Sequence, residues 1–215
     1  MDTALITGAS RGIGAALASE LTDRTYDVIG TSTKGGNGLH ALDVTDPHSV
    51  TALADSLKDR PIGLLVCNAG LYLDKGQPLD TGYPPEMWAK EFAVNVTGVF
   101  LTVQAFLPAL RASRGKIAII SSQMASHTRA PGGAYIYRAS KAAALNLGRN
   151  LASELKADGV PVGIYHPGWV QTDMGGAAAD ITTTEAATGL ADRFAELSLS
   201  STGCFETWDG RPHAY

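Results

Sequence analysis

Short, unbroken apolar runs recur along this chain, and each is followed by a segment of helical period. The runs are Ala4–Thr7, Val28–Ser32, Leu39–Val44, Leu64–Asn68, Ile117–Ser121, Val162–Tyr165 and Cys204–Trp208. A strand with one wet face alternates apolar and polar residues. A strand covered on both faces has no reason to alternate. Several of these runs are of the second kind, so they predict a parallel sheet sandwiched between helices. The helical segments supply the cover. Ile13, Leu17 and Leu21 recur every four residues. Asp46-Pro47 reads as an N-cap and first helical residue, with Val50, Leu53, Ala54 and Leu57 on one face behind it. A long helix is expected over much of Glu86–Leu110. Another runs from Tyr135 to Lys156, with Leu147, Leu151 and Leu155 as its buried stripe and Gly159 past its end. Repeated strand–helix–strand units define an α/β fold, a doubly wound parallel sheet of about seven strands with helices on both faces. The six residues between Ser32 and Leu39 are too few for a helix, so a loop makes that crossover.

The chain has 215 residues, which suits a single domain over 1–215. Charged residues are 18% and hydrophobic ones 45%. A net charge of −4 gives no basic field to attract nucleic acid or an anionic membrane. No apolar run approaches the ~20 residues of a bilayer span, so no membrane partner is expected. Met1–Ile6 carries no basic region of the secretory kind. Cys67 and Cys204 form neither a metal-spaced cluster nor a disulfide framework. Each is expected in a strand as a small buried hydrophobe. The reading is a cytoplasmic protein with no metal site.

Thr7-Gly8-Ala9-Ser10-Arg11-Gly12-Ile13-Gly14 joins the first strand to the first helix. Glycines let the backbone turn tightly and approach a pyrophosphate, and helix N-terminal amides then face its oxygens. An NAD site places a carboxylate at the end of the second strand, roughly 20 residues on, to hold the ribose 2′-hydroxyl. Here that region reads Gly30-Thr31-Ser32-Thr33-Lys34, with no carboxylate before Asp43. Arg11, Lys34 and the hydroxyls of Thr31 and Ser32 suit a 2′-phosphate instead. NADP(H) is therefore favoured over NAD(H).

Tyr137 and Lys141 stand four apart at the start of a strong helical stretch, so they share one face. A free phenol titrates near ~10, and a nearby cation brings it toward a useful range for proton transfer. Ser121-Ser122 closes the fifth strand and offers a hydroxyl for a carbonyl oxygen. Asn68-Ala69-Gly70 ends the fourth strand at the ligand-binding edge of such sheets. Asn95 and Gly98 interrupt an otherwise apolar helix. His127, His166, Trp169 and Met174 flank the same region, where surface or packing roles suffice for each.

Taken together, Thr7–Gly14, Asp43-Val44, Asn68–Gly70, Asn95, Ser122, Tyr137/Lys141 and Pro167-Gly168 resemble the short-chain dehydrogenase/reductase superfamily across essentially the whole chain, with its Rossmann-like fold. The short length, the missing helix after the second strand, Ser121–Met124 and His166–Met174 resemble its C-factor and sniffer-type carbonyl reductase branch. The resemblance implies that Tyr137 exchanges the proton with a carbonyl or alcohol oxygen. It implies that Lys141 lowers the phenol pKa and binds the nicotinamide ribose, and that Ser122 positions the carbonyl. Asn95 would fix a water in the proton relay. Gly8, Ser10, Gly12, Ile13 and Gly14 would cradle the pyrophosphate, Asp43 and Val44 the adenine, and Asn68, Ala69 and Gly70 the adenosine side. Pro167, Gly168, Val170 and Thr172 would frame the nicotinamide. Ser122 precedes Tyr137 by two or three residues more than the family spacing, so Ser121 and Ser126 remain alternatives. The substrate is a small carbonyl or alcohol, under a lid expected near 173–190. A homodimer or homotetramer follows by the same analogy. A nucleotide-binding regulator with little catalysis is the rival from another class.

Overall fold

The computed structural model describes residues 2–215. Its elements are β1 (Thr3–Ile6), α1 (Gly12–Asp23), β2 (Asp27–Ser32), β3 (His40–Ala41), α2 (Pro47–Ser56), β4 (Leu64–Cys67), α3 (Pro85–Phe92), α4 (Gly98–Ser113), β5 (Lys116–Ile120), α5 (Tyr135–Leu155), β6 (Val162–His166), α6 (Thr183–Glu196) and β7 (Phe205–Thr207). The strands form one sheet in the order β3-β2-β1-β4-β5-β6-β7. Every pairing in it is parallel. The fold is a Rossmann-like α/β domain.

The unbroken apolar runs are explained by two-sided burial. β1, β4 and β6 are buried at every position. Side chains along a strand alternate between faces, and each face has its own core. Ala4, Ile6, Leu64, Val66, Ala118 and Ile120 pack with α1 and α6 through Leu17, Leu21, Leu190 and Phe194. Leu5, Leu65, Cys67, Ile117 and Ile119 point the other way, onto Val50, Leu53, Val99, Val103, Phe106 and Leu155 of α2, α4 and α5. Cys67 is inert there, because burial pushes its thiol up to about 12.

Several boundaries differ from expectation. The third strand is only His40–Ala41 rather than Leu39–Val44. It is the sheet edge and both its residues are exposed, so nothing beyond it extends the ladder. Cys204 lies just before β7, not within it. The helix expected over Glu86–Leu110 is real but not uniform. α3 and α4 are joined by a π-helical turn, Ala93–Thr97. Such turns insert one residue per helical repeat and are frequent at functional sites. Glycine at 98 has a packing reason: a Cβ there would sit 2.7 Å from Cγ2 of Val44. Residues 173–182 are irregular, whereas 183–190 begin α6. Thr182 and Glu185 close a capping box there, and Ala186, Ala187 and Leu190 are buried.

The continuous helix Pro85–Ser113 has a mean hydropathy of 1.6 over its best window and is long and apolar enough to cross a membrane, which the runs of residue types did not suggest. Val99, Val103, Phe106 and Leu110 on it face the sheet.

Candidate active site

β1 lies between β2 and β4, so the chain winds outward in both directions from the β1/β4 junction. Open sheets of this kind bind ligands outside the carboxyl ends of the strands at that junction. A cleft of about 1360 Å³ lies there. A single small ligand needs roughly 300–1,000 Å³, so this one has room for a cofactor and a substrate together.

The glycine turn forms one wall. Gly8 and Gly12 have φ of +69° and +56°, a region that favours glycine. A Cβ on Gly8 would lie 3.0 Å from the Ala69 Cα. A Cβ on Gly14 would collide with the Gly8 carbonyl oxygen and lie 2.6 Å from the Asn68 Nδ2. Asn68 braces the turn by donating from Nδ2 to the carbonyls of Thr7 and Gly8, both at 3.0 Å. The Thr7 hydroxyl oxygen accepts the Asn68 and Ala69 N–H groups, also at 3.0 Å. This cradle of bare backbone at a helix N-terminus fits a pyrophosphate.

The structure sorts the expected cofactor contacts. Ser10, Arg11, Ile13, Ser32, Asp43, Val44, Ala69 and Gly70 line the cleft, as do Pro167 and Thr172. Thr31 does not. It is still inside the sheet, 1% exposed, with its hydroxyl unpartnered, and Thr33 lines the cleft instead. Lys34 is exposed outside the wall. Gly168 and Val170 also lie behind the wall. Val170 pairs with Ile181, and Gly168 packs against Trp208 and Ile181. The Asp43 carboxylate accepts the Thr45 N–H and hydroxyl at 2.9 and 2.7 Å, so it braces its own turn. Arg11 pairs with Asp173 across the mouth, both side chains largely exposed. Such a pair contributes only ~0–1 kcal/mol.

At the base of the cleft Tyr137 and Lys141 share one face of α5, both buried. The Lys141 Nζ lies 5.6 Å from the Tyr137 ring centroid and donates to the Ile120 carbonyl at 3.0 Å. Of the three candidate serines, Ser122 is the one near enough the Tyr137 phenol to lower its pKa, while Ser121 is the one that lines the cleft. Ser121 donates to the Lys141 carbonyl at 3.1 Å. Ser126 is held by Thr128 and Tyr215. The loop after Ser122 opens with a 3₁₀ turn, Gln123–Ala125, and the Met124 N–H donates to Ser122 Oγ at 3.1 Å.

The resemblance implies that Lys141 lowers the phenol pKa. In the protein alone, burial raises it, and the Ser122 hydrogen bond offsets only part of that. Burial also pulls the Lys141 ammonium down to about 8, with Glu91 opposing. Desolvation disfavours both charged forms, and here it outweighs a cation near the ring. Asn95 ties the loop after β4 to α5. Its Oδ1 accepts the Leu71 N–H at 2.8 Å, and its Nδ2 donates to the Leu71 carbonyl at 2.9 Å and the Ser140 hydroxyl at 3.0 Å. The side chain is fully engaged as a staple. His127 is exposed, outside the cleft wall.

Sequence reasoning missed three residues beside the phenol. Tyr72 stacks on Tyr137 with centroids 4.2 Å apart. Asp74 and Glu91 are both completely buried. Asp74 accepts the N–H groups of Ile136 and Tyr137 at 2.7 and 3.4 Å. A faint signal existed: Pro131-Gly132-Gly133-Ala134 offers α5 no capping side chain, so the cap had to come from elsewhere.

A parallel sheet with a glycine cradle at its switch point and a buried serine–tyrosine–lysine group defines a dinucleotide-binding α/β protein. The short chain dehydrogenase profile matches residues 2–182, and the chain belongs to that family of oxidoreductases. It is 34% identical, over 98% of each sequence, to 1-hydroxy-2-glutathionyl-2-methyl-3-butene dehydrogenase of Rhodococcus sp. (strain AD45). Its structure superposes on the NADPH-bound carbonyl reductase from chicken fatty liver with a TM-score of 0.90 at 30% identity, covering 100% of this chain and 99% of that one. The carbonyl reductase Sniffer of D. melanogaster shares the fold, with a TM-score of 0.90 at 24% identity and both chains fully covered.

Proposed function

We propose that this chain is an NADP(H)-dependent carbonyl reductase acting on a small ketone or aldehyde. One observation carries the reading: Tyr137 and Lys141 are buried side by side in the cleft that the glycine turn opens into, with the buried Ser122 beside the phenol just behind the cleft wall. A bound nicotinamide would supply the hydride. The chain's own residues handle the oxygen. Ser122 donates toward the carbonyl oxygen, and the Tyr137 hydroxyl gives it a proton as negative charge develops. Burial keeps that phenol neutral at ordinary pH, which suits it as a proton donor to a carbonyl oxygen. The Lys141 ammonium lies under the ring and stabilises the phenolate left behind. Holding two reactants in one desolvated cleft supplies up to ~7–11 kcal/mol of the barrier reduction.

NADP(H) is favoured because Arg11, Ser32 and Thr33 line the end of the cleft by β2, while Asp43 is taken up by Thr45. The exposed ion pair of Arg11 with Asp173 is too weak to withhold the guanidinium from a doubly charged phosphate. Arg11→Ala is expected to cut the NADPH-over-NADH preference in kcat/KM by about tenfold or more, the worth of one charged hydrogen bond. An unchanged ratio would place the 2′-phosphate elsewhere.

The function itself is tested by NADPH oxidation over a panel of ketones, aldehydes and quinones. Turnover of at least one carbonyl class is expected. Tight NADPH binding with no turnover across the panel would turn the assignment toward a cofactor-sensing regulator.

A further inference from the structure

Two carboxyl groups lie beneath the reacting phenol, and the chemistry just described uses neither. Asp74 follows β4 and Glu91 is on α3. Each is 0% exposed. Each satisfies one oxygen with backbone. Asp74 Oδ2 takes the first-turn amides of α5, at Ile136 and Tyr137. Glu91 Oε2 takes the Leu73 N–H at 2.9 Å. The second oxygens, Asp74 Oδ1 and Glu91 Oε1, are buried with no partner. An unmade hydrogen bond on a buried oxygen is expensive, and burial favours the neutral form of Glu91.

We propose that Asp74 and Glu91 are positioning residues that together hold Tyr137 in place. The mechanical path is continuous. Glu91 and, four residues on, Asn95 fix the backbone of Leu71 and Leu73. That short loop carries Tyr72, stacked on Tyr137, and Asp74, bonded to the Tyr137 amide. A negative charge on Asp74 suits the helix N-terminus it caps. A second charge, on Glu91, repels the first and loosens the loop that sets the phenol.

The groups facing the pair are known. Glu91 feels Asp74 from the loop and Lys141 from α5, and its own carboxyl is pushed up to about 7, chiefly by burial and against the Leu73 hydrogen bond. Tyr72 faces Asp74, Glu91, Arg138 and Tyr83, and its phenol is raised, mainly by burial. Tyr137 faces both acids. Glu91 titrates higher folded than unfolded. Its protonated form therefore favours the fold fully below about 4.5, and this contribution fades as pH rises through about 7.

The first test is melting of the full chain without ligand, which does not depend on the carbonyl-reductase reading. Glu91→Gln keeps the shape of the protonated acid. The melting temperature of E91Q minus that of wild type should rise with pH by roughly 5 °C or more between pH 4.5 and 7.5. A difference constant within a degree would overturn the neutral Glu91 on which that hold depends. The second test does rest on that reading and uses turnover. Asp74→Ala should lower kcat about tenfold or more with the NADPH Kd unmoved, and Asp74→Asn, which keeps an acceptor for the cap, should restore most of it. Equal kcat in D74A and wild type would overturn the positioning role. If D74A does not fold, E91Q alone decides: it should remove the fall in kcat near pH 7 while keeping the fall near 8 set by Lys141, and a wild-type profile would sink the proposal.

Discussion

Tyr137→Phe is expected to lower carbonyl reduction by roughly 10²–10⁴-fold, the usual worth of a positioned general acid. The fold should survive the change. The ring stays, so the stack on Tyr72 at 4.2 Å remains. Only the phenol oxygen is lost, leaving Ser122 to bond solvent or substrate. NADPH affinity, read by fluorescence titration, should stay within about threefold, less than 1 kcal/mol. The contrast between lost turnover and kept binding is the point, because it separates chemistry from architecture. A variant with more than a tenth of wild-type turnover on a productive carbonyl would remove Tyr137 from its role.

Gly14→Ala should do the opposite, destroying binding first. The new methyl would meet the Gly8 carbonyl and the Asn68 amide, and both are held. Asn68 donates to two carbonyls of the turn, so it has no free rotamer to retreat into. The turn must shift, and with it the amides aimed at the pyrophosphate. NADPH binding is expected to weaken by at least ~100-fold, or ~2.7 kcal/mol. The overpacking itself should cost ~1–3 kcal/mol of stability. Calorimetry of the free protein and an NADPH titration check the two effects separately. Wild-type affinity in G14A would mean that the pyrophosphate does not lie against this turn.

Both predictions start from residues legible in the chain, and the reason is local. A strand–glycine–helix turn is written in consecutive residues, because backbone φ and the absence of a Cβ act over a few bonds. Tyr137 and Lys141 share a face because the helix period puts them there. Thr31 and Asn95 show the limit. Both were read as site residues from their neighbourhood, yet Thr31 stays inside the sheet and Asn95 spends its amide on Leu71 and Ser140. Whether a hydroxyl or amide is free depends on what packs over it, and that comes from distant segments.

The sequence by itself determined the layered parallel sheet, the glycine turn and the pairing of phenol with ammonium, since each follows from short-range patterns. Only the tertiary structure decided how that pair is buried and held. Desolvation sums over atoms from distant segments, and it raises the phenol and lowers the ammonium. The cap on α5 comes from Asp74, 62 residues before the amide it binds at Ile136. No spacing rule reaches across that interval, because only folding brings the two together.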